Sequence, residues 1–354
     1  MTNSNLHQNF EKFKQSLPSA IAEKLETFIG REVASYLQAT PNPDPDLAKL
    51  ITPLSTIKSS EILKSDFPPI PWTVSGYLGP GLTFLFGAPK SGKSWLALQL
   101  ALSVLKGGLM LSQEAIKGKV LYLALEDSKR RLKHRMEDQN WPLDADIDFM
   151  LYDKFIKQIV TLNSKGGKRL LTHIKTEGYN LVIIDTFSRS VHGNQLRADE
   201  MTSAIGPIQQ YAMKHNLSLM IVDHKPKNGS SLFGSVAKQG VADTFWNLTR
   251  TSGKNNAILS ISGRDFEKNH DLKLEFDGET HFWKNIGDAN KLAKNEREQK
   301  IIEVLNMHGK VQIGVLVEVL GVHKGTIHHI LKDLIDRGLV NRLPENKYVY
   351  YELS

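Results

Sequence analysis

The stretch Leu82-Thr83-Phe84-Leu85-Phe86-Gly87-Ala88-Pro89-Lys90-Ser91-Gly92-Lys93-Ser94-Trp95 decides how the rest of the chain is read. Residues 82–86 form a short apolar run of the kind a strand buried on both faces requires. Gly87 to Ser94 satisfies the spacing G-x-x-x-x-G-K-[ST]. Residues 95–105 carry a helical apolar pattern. A strand, a glycine loop and a helix in that order aim backbone N–H groups and a helix N-terminus at one point, which predicts a cradle for phosphate oxygens. Gly87, Ala88, Pro89, Lys90, Ser91, Gly92, Lys93, Ser94 and Trp95 are therefore the candidate binding residues. Lys93 is predicted to reach the terminal phosphates and Ser94 to hold Mg2+.

Outward from the loop, short apolar runs alternate with helical segments. Runs at 120–125, 181–184 and 217–222 are separated by helical patterns at 129–138 and 198–215. Such alternation predicts an α/β fold, a mostly parallel sheet with helices on both faces. The closely spaced runs 244–248, 257–261 and 272–276 read as hairpin strands that finish the sheet.

Three of these runs end in polar residues, and strand tips of an α/β sheet meet at the ligand crevice. Leu181-Val182-Ile183-Ile184-Asp185 puts Asp185 at one tip, where it would orient Mg2+ through its water shell. No glutamate follows it. Glu126, in Leu125-Glu126-Asp127, is the candidate base for an attacking water, with Asp127 as the cap of the following helix. His224, in Val222-Asp223-His224-Lys225, is the candidate sensor of the γ-phosphate, relaying its state to residues 226–235.

In this order the motifs resemble the RecA-like ATPase core. More narrowly they resemble the branch around the hexameric plasmid helicase RepA and its AAA_25-type relatives. Pro69-Ile70-Pro71-Trp72 ahead of the first strand, Gly234-Ser235, and Ala242-Asp243 before a run ending near Arg250 belong to the same likeness, which spans about residues 68 to 285. The resemblance implies ATP and Mg2+ chemistry at the subunit interfaces of a ring, often a hexamer. Lys93 and Ser94 would bind phosphate and metal, Glu126 would be the base, Asp185 the second metal-shell carboxylate and His224 the sensor. It also implies a basic finger acting on the neighbouring subunit, with Arg264 first and Arg250 and Lys238 as alternatives. Ser262 stands where related helicases carry a second, lysine finger. The segments 188–199 (Arg189, His192, Gly193, Arg197) and 225–239 (Lys225, Lys227, Gly229, Ser230, Ser231, Phe233, Lys238) correspond to loops that line a channel for single-stranded DNA. The absence of an N-K-x-D stretch favours ATP over GTP.

The flanks differ in character. Residues 1–66 read as a helical segment, with Phe10, Phe13 and Leu17 on one stripe and Ile21, Leu25, Ile29 and Val33 on another before Pro41, Pro43 and Pro45. Residues 67–287 are the expected ATPase domain. Residues 288–354 are the expected third unit, a polar linker at 288–299 grading into the first of three helices, then a β-pair around Pro344-Glu345-Asn346, which resembles a winged helix-turn-helix. Its third helix would carry His323, Lys324, Thr326, His328, His329 and Lys332 toward a major groove, with Arg342 and Lys347 on the wing. The adjacent pair His328-His329 is a poor spacing for metal ligation.

Composition bounds the rest. The 354 residues are 40% hydrophobic and 23% charged, which is globular, and contain no cysteine, so disulfide, thiolate and zinc-finger chemistries are excluded. The opening residues lack a signal-peptide pattern and no apolar run is long enough for a membrane helix, so a cytoplasmic address is expected. The formal charge of +7 permits nucleic-acid contact. Three functions follow: an ATP-driven DNA motor, an ATP-switched DNA-binding regulator or loader, and a small-molecule kinase, which the winged tail disfavours.

Overall fold

The computed structural model describes residues 56–191, 198–224, 240–251 and 255–354. The expected N-terminal stripes, half of the channel segment 188–199 and all of the channel segment 225–239, including Lys238, lie outside the described residues. The chain divides into the compact units Met1–Pro68 and Pro69–Ser354. The described part of the first holds α1 (Ser59–Lys64), which buries no residue.

The second unit starts with β1 (Gly81–Gly87) and α2 (Lys93–Lys106). A hairpin of β2 (Leu109–Met110) and β3 (Gln113–Glu114) precedes β4 (Val120–Ala124) and α3 (Lys129–Asp138). Then come β5 (Asp148–Leu151), α4 (Tyr152–Gln158), α5 (Lys165–Glu177), β6 (Leu181–Asp185), α6 (Ala198–Lys214) and β7 (Ser218–His224). Strands β8 (Thr244–Arg250), β9 (Asn256–Gly263), β10 (His270–Phe276) and β11 (Trp283–Asp288) complete one nine-stranded sheet, in the order β11-β10-β9-β8-β1-β7-β6-β4-β5.

From β8 to β5 all neighbours are parallel. From β8 to β11 they are antiparallel. The run at 244–248 is thus not the first arm of a hairpin meander alone. It lies parallel to β1, Gly87 opposite Leu248, and the hairpins begin beyond it. Its spacing in sequence resembled a hairpin because β9 does follow it directly; its parallel side is made by a strand far upstream.

Alternation along the strands divides the core. Phe84 and Phe86 of β1, with Ile184 and Ile221, pack on Ile174 of α5 and Ile205 and Ile208 of α6. Leu85, Tyr122, Ile183 and Val222 face the other way, onto Leu96, Leu100 and Val104 of α2. With both faces covered, β1, β4 and β6 are buried at every position, which is why they read as unbroken apolar runs.

After β11 the chain enters α7 (Ala289–His308), β12 (Val311–Gln312), α8 (Ile313–Leu320), α9 (Lys324–Asp336), β13 (Val340–Glu345) and β14 (Tyr348–Leu353). The three helices and the three-stranded sheet β12-β14-β13 form a winged helix-turn-helix around Ile301, Leu305, Leu316, Ile327 and Leu334. The segment 288–299, expected to grade from linker into helix, is helical from Ala289 onward. Asp288 accepts a hydrogen bond from Lys291 N at 2.8 Å and caps a 20-residue helix. Its first turns are tied to β10 by Lys273–Glu296 at 2.7 Å and Asn290–Asp271 at 3.1 Å. Tertiary anchors, absent from local composition, override the polar reading. His323 is likewise not within the third helix but caps it, Nδ1 accepting from Gly325 N at 3.2 Å.

Candidate active site at the crest of the sheet

The glycine loop closes against its surroundings at two points. A Cβ on Gly87 would lie 2.6 Å from the Leu248 carbonyl oxygen and 2.7 Å from Ser91 Oγ. Gly92 has φ +99°, and a Cβ there would meet the Trp283 ring at 2.7 Å. Only glycine lets the loop turn tightly between β1 and α2 with β8 and β11 pressed against it.

Lys93 is buried, not surface-facing, while Ala88, Pro89 and Lys90 of the loop are exposed. Its Nζ donates to the carbonyls of Gly87 and Ala88, both at 2.9 Å, and lies 3.3 Å from His224 Nδ1. An ammonium can only donate, so Nδ1 is the acceptor and the imidazole proton sits on Nε2. Nε2 faces Glu126 Oε1 at 3.7 Å. Burial lowers the Lys93 pKa, against the pull of Asp185, Asp223 and Glu126. The parallel register β1–β7, Gly87 opposite His224, brings Lys93 and His224 together.

Asp185 ends β6 and is buried. Its Oδ2 accepts from the Tyr122 hydroxyl at 2.8 Å, whereas Oδ1 is buried with no hydrogen-bond partner. Burial raises its pKa, and the neighbouring Ser94 and Tyr122 hydroxyls pull the other way. A carboxylate oxygen orphaned beside a serine hydroxyl suits a hard cation. Among the described residues no group of three or more His, Asp or Glu side chains holds a metal by itself. The donor set therefore fits Mg2+ carried in with phosphates, which leaves most of its ligands to phosphate and water. Tyr122→Phe should cost about 1–3 kcal/mol in urea unfolding, because Asp185 loses its donor in a buried setting. An unchanged midpoint would contradict the geometry.

Glu126 stands at the tip of β4, its Oε1 accepting from Thr186 Oγ1 at 2.9 Å. Asp127 does not cap α3. Ser128 does, Oγ accepting from Arg131 N at 3.3 Å. Asp127 instead pairs with Arg135 at 2.6 Å and Arg131 at 3.4 Å. Aspartate and serine are both good caps, and the first intrahelical bond started one residue later than the sequence suggested.

Lys93, Ser94, Glu126, Asp185 and His224 all line one cavity of about 340 Å³, with Trp95, Arg135, Thr186, Arg250 and Phe276 as further walls. A larger cleft of about 580 Å³ at the far end of α2, lined by Leu102, Leu109 and Phe282, holds none of these groups and is set aside despite its size. Arg250 is bound within its own site: Nε donates to the Ser91 carbonyl at 3.0 Å and the guanidinium lies 4.6 Å from the Trp283 ring centroid. Arg264 lies at the opposite end of the sheet from the glycine loop, since Gly263 pairs with Thr244 at the start of β8. Its guanidinium is 3.7 Å from Asp243 and its side chain is 62% exposed. Arg189 rests on the Tyr152 ring at 5.3 Å.

Arg135 and Thr186 were missed in the sequence. Thr186 directly follows Asp185, a signal that could have found it; Arg135 reaches the site only through the fold of α3.

The AAA domain family AAA_25 matches residues 48–230, and the DeoR-like helix-turn-helix domain family matches residues 297–343. The first match covers the glycine loop and all four strand tips and stops before β8. Among solved structures, a KaiC-like protein of the hyperthermophilic archaeon Pyrococcus horikoshii OT3 is similar at 12% identity and TM-score 0.42, covering 61% of this chain and 94% of its own. No curated protein matches the chain. Among the described residues no helix is long and apolar enough to cross a membrane.

Proposed function

We propose, from the premise that this chain belongs to the AAA domain family AAA_25, that it is an ATP-hydrolysing RecA-like motor acting on DNA. The finer reading is a ring-forming helicase or translocase in the replication of a plasmid, phage or other mobile element. What carries it is the convergence of four strand tips on one cavity: Lys93 beyond β1, Glu126 beyond β4, Asp185 on β6 and His224 on β7. In a small-molecule kinase the cavity would need a second substrate subsite beside the phosphates.

The geometry supports the following roles. The loop amides and Lys93 hold the β- and γ-phosphates, and Ser94 and Asp185 hold Mg2+, which when bound neutralises charge on the phosphate oxygens. Glu126 orients and deprotonates the attacking water. His224 stands between Lys93 and Glu126, so a γ-phosphate seated on Lys93 competes with Nδ1 for its protons and frees the ring. His224 directly precedes residues 225–239, so its freed ring is the sensor that reports the phosphate to that loop. Trp95, Arg135 and Phe276 offer an aromatic and cationic wall to the base. Arg264 cannot serve its own site and is assigned to the neighbour's in a ring. Mixing Lys93→Ala chains with Arg264→Ala chains, each inactive alone, should restore partial turnover, because some interfaces then combine an intact loop with an intact finger. A mixture as dead as its parts would remove Arg264 as the finger.

The winged unit supplies a second DNA surface. Lys324, His328, His329 and Lys332 of α9 are exposed, as are Arg342 and Lys347 of the wing. That arrangement suits base-edge contacts from α9 and phosphate contacts from the wing. A regulator or loader without unwinding activity is the second reading, favoured by the anchoring of α7 on β10, which joins the winged unit to the sheet. A strand-displacement assay separates the two: ATP-dependent release of a labelled strand supports the motor, and its absence alongside DNA-stimulated hydrolysis supports the regulator.

A further inference from the structure

Helix α3 carries Lys129, Arg130, Arg131, Lys133, His134 and Arg135 within seven residues. Its rotation sorts them. Leu132 is buried, and Lys129, Arg130, Lys133 and His134 share one exposed arc. Arg131 and Arg135 turn toward Asp127. Lys133 and His134 share Glu137 at 3.3 and 3.4 Å. No ion pair is found for Lys129 or Arg130 among the described residues.

A groove of about 440 Å³ adjoins this arc and shares Arg130 and His134 with it. Its lining sets Arg130, Arg131, His134 and Arg135 against one carboxylate, Asp138. It shares Trp95 and Arg135 with the nucleotide cavity, so its ligand would lie beside the hydrolysis site. Like charges four residues apart on a helix repel, here Lys129 with Lys133, and an incoming anion relieves that repulsion. The arc from Lys129 to His134 covers about 7.5 Å of helix axis. That length spreads Lys129, Arg130 and Lys133 along a strand rather than focusing them on a single phosphate.

We infer that the exposed face of α3 is a contact for the phosphate backbone of single-stranded nucleic acid, in addition to the winged helix and the expected channel segments 188–199 and 225–239. The inference rests on the reading of the chain as a DNA motor. It also gives the polyanion a route to the chemistry, since a phosphate on α3 competes with Asp127 for Arg131, and Asp127 adjoins Glu126.

The test uses the full chain and a labelled single-stranded oligothymidylate, titrated over a range of salt. The variant combines Lys129→Ala, Arg130→Ala and Lys133→Ala, none of which lines the nucleotide cavity or touches Asp127. Its thermal midpoint and DNA-free hydrolysis should match the parent. The slope of log affinity against log salt should fall in magnitude by about 2, at about 0.7 per phosphate contact, with affinity near 0.1 M salt lower by about tenfold or more. A parent that binds DNA with a slope the variant shares overturns the α3 contact and leaves the motor reading standing. A parent with no salt-sensitive DNA affinity overturns both. A variant that changes subunit number while keeping the slope assigns the face to a second copy of the chain, which also overturns the inference.

Discussion

Lys93→Ala should lower ATP turnover by about 10²–10³-fold, the loss expected when one preorganised donor to a developing phosphoryl charge is removed. The ammonium is buried and its protein partners are the Gly87 and Ala88 carbonyls and His224, so it is already desolvated and aimed before nucleotide arrives. Positioned charge in a water-poor site acts more strongly than the same charge in solvent. Nucleotide binding should weaken as well, because ground-state phosphates use the same amine. The fold should survive. Burial disfavours the charged amine, so its removal relieves a desolvation cost while deleting three hydrogen bonds. Phosphate release and a nucleotide titration on the same sample check this. Turnover near that of the parent would mean the glycine loop is not where the terminal phosphate sits.

Glu126→Gln should separate binding from chemistry. General-base catalysis contributes about 10²–10⁴-fold, so kcat should fall by that order while nucleotide affinity stays near the parent value. Gln keeps the carbonyl oxygen that accepts from Thr186 Oγ1, so the side chain should hold its place. Asp127→Asn is the internal comparison. Asp127 is committed to Arg131 and Arg135, and its loss should loosen α3 without removing the base. If the Asn variant is dead and the Gln variant active, the two roles are exchanged.

The sequence made the centre of the fold legible and its margins much less so. Strands β1, β4, β6 and β7 are buried on both faces, so their apolar runs and polar tips stood out, with Glu126, Asp185 and His224 at the tips and the glycine loop after β1. Strand β5 escaped because it lies at the sheet edge and none of its four residues is buried. Strand β11 escaped for a different reason: Trp283 alone of its residues is buried, and what identifies it is the long-range pair of bonds between its backbone and Gln99 at 2.9 and 2.8 Å. The parallel side of β8 and the helical state of 289–299 likewise depend on partners far away in sequence. Among site residues, Arg250 was weighed as a group for another subunit because its stacking on Trp283 needs the folded sheet to be seen. The winged unit was readable because its helices each bury an apolar face and Gly321, at φ +62°, ends α8 where a turn was expected.

The most direct measurement is phosphate release from ATP by the full chain, with and without Mg2+ and with and without single-stranded DNA. The account predicts turnover that requires Mg2+, rises when DNA is added, and disappears in both the Lys93→Ala and Glu126→Gln chains. Release that ignores Mg2+, or that persists in both variants, would contradict it.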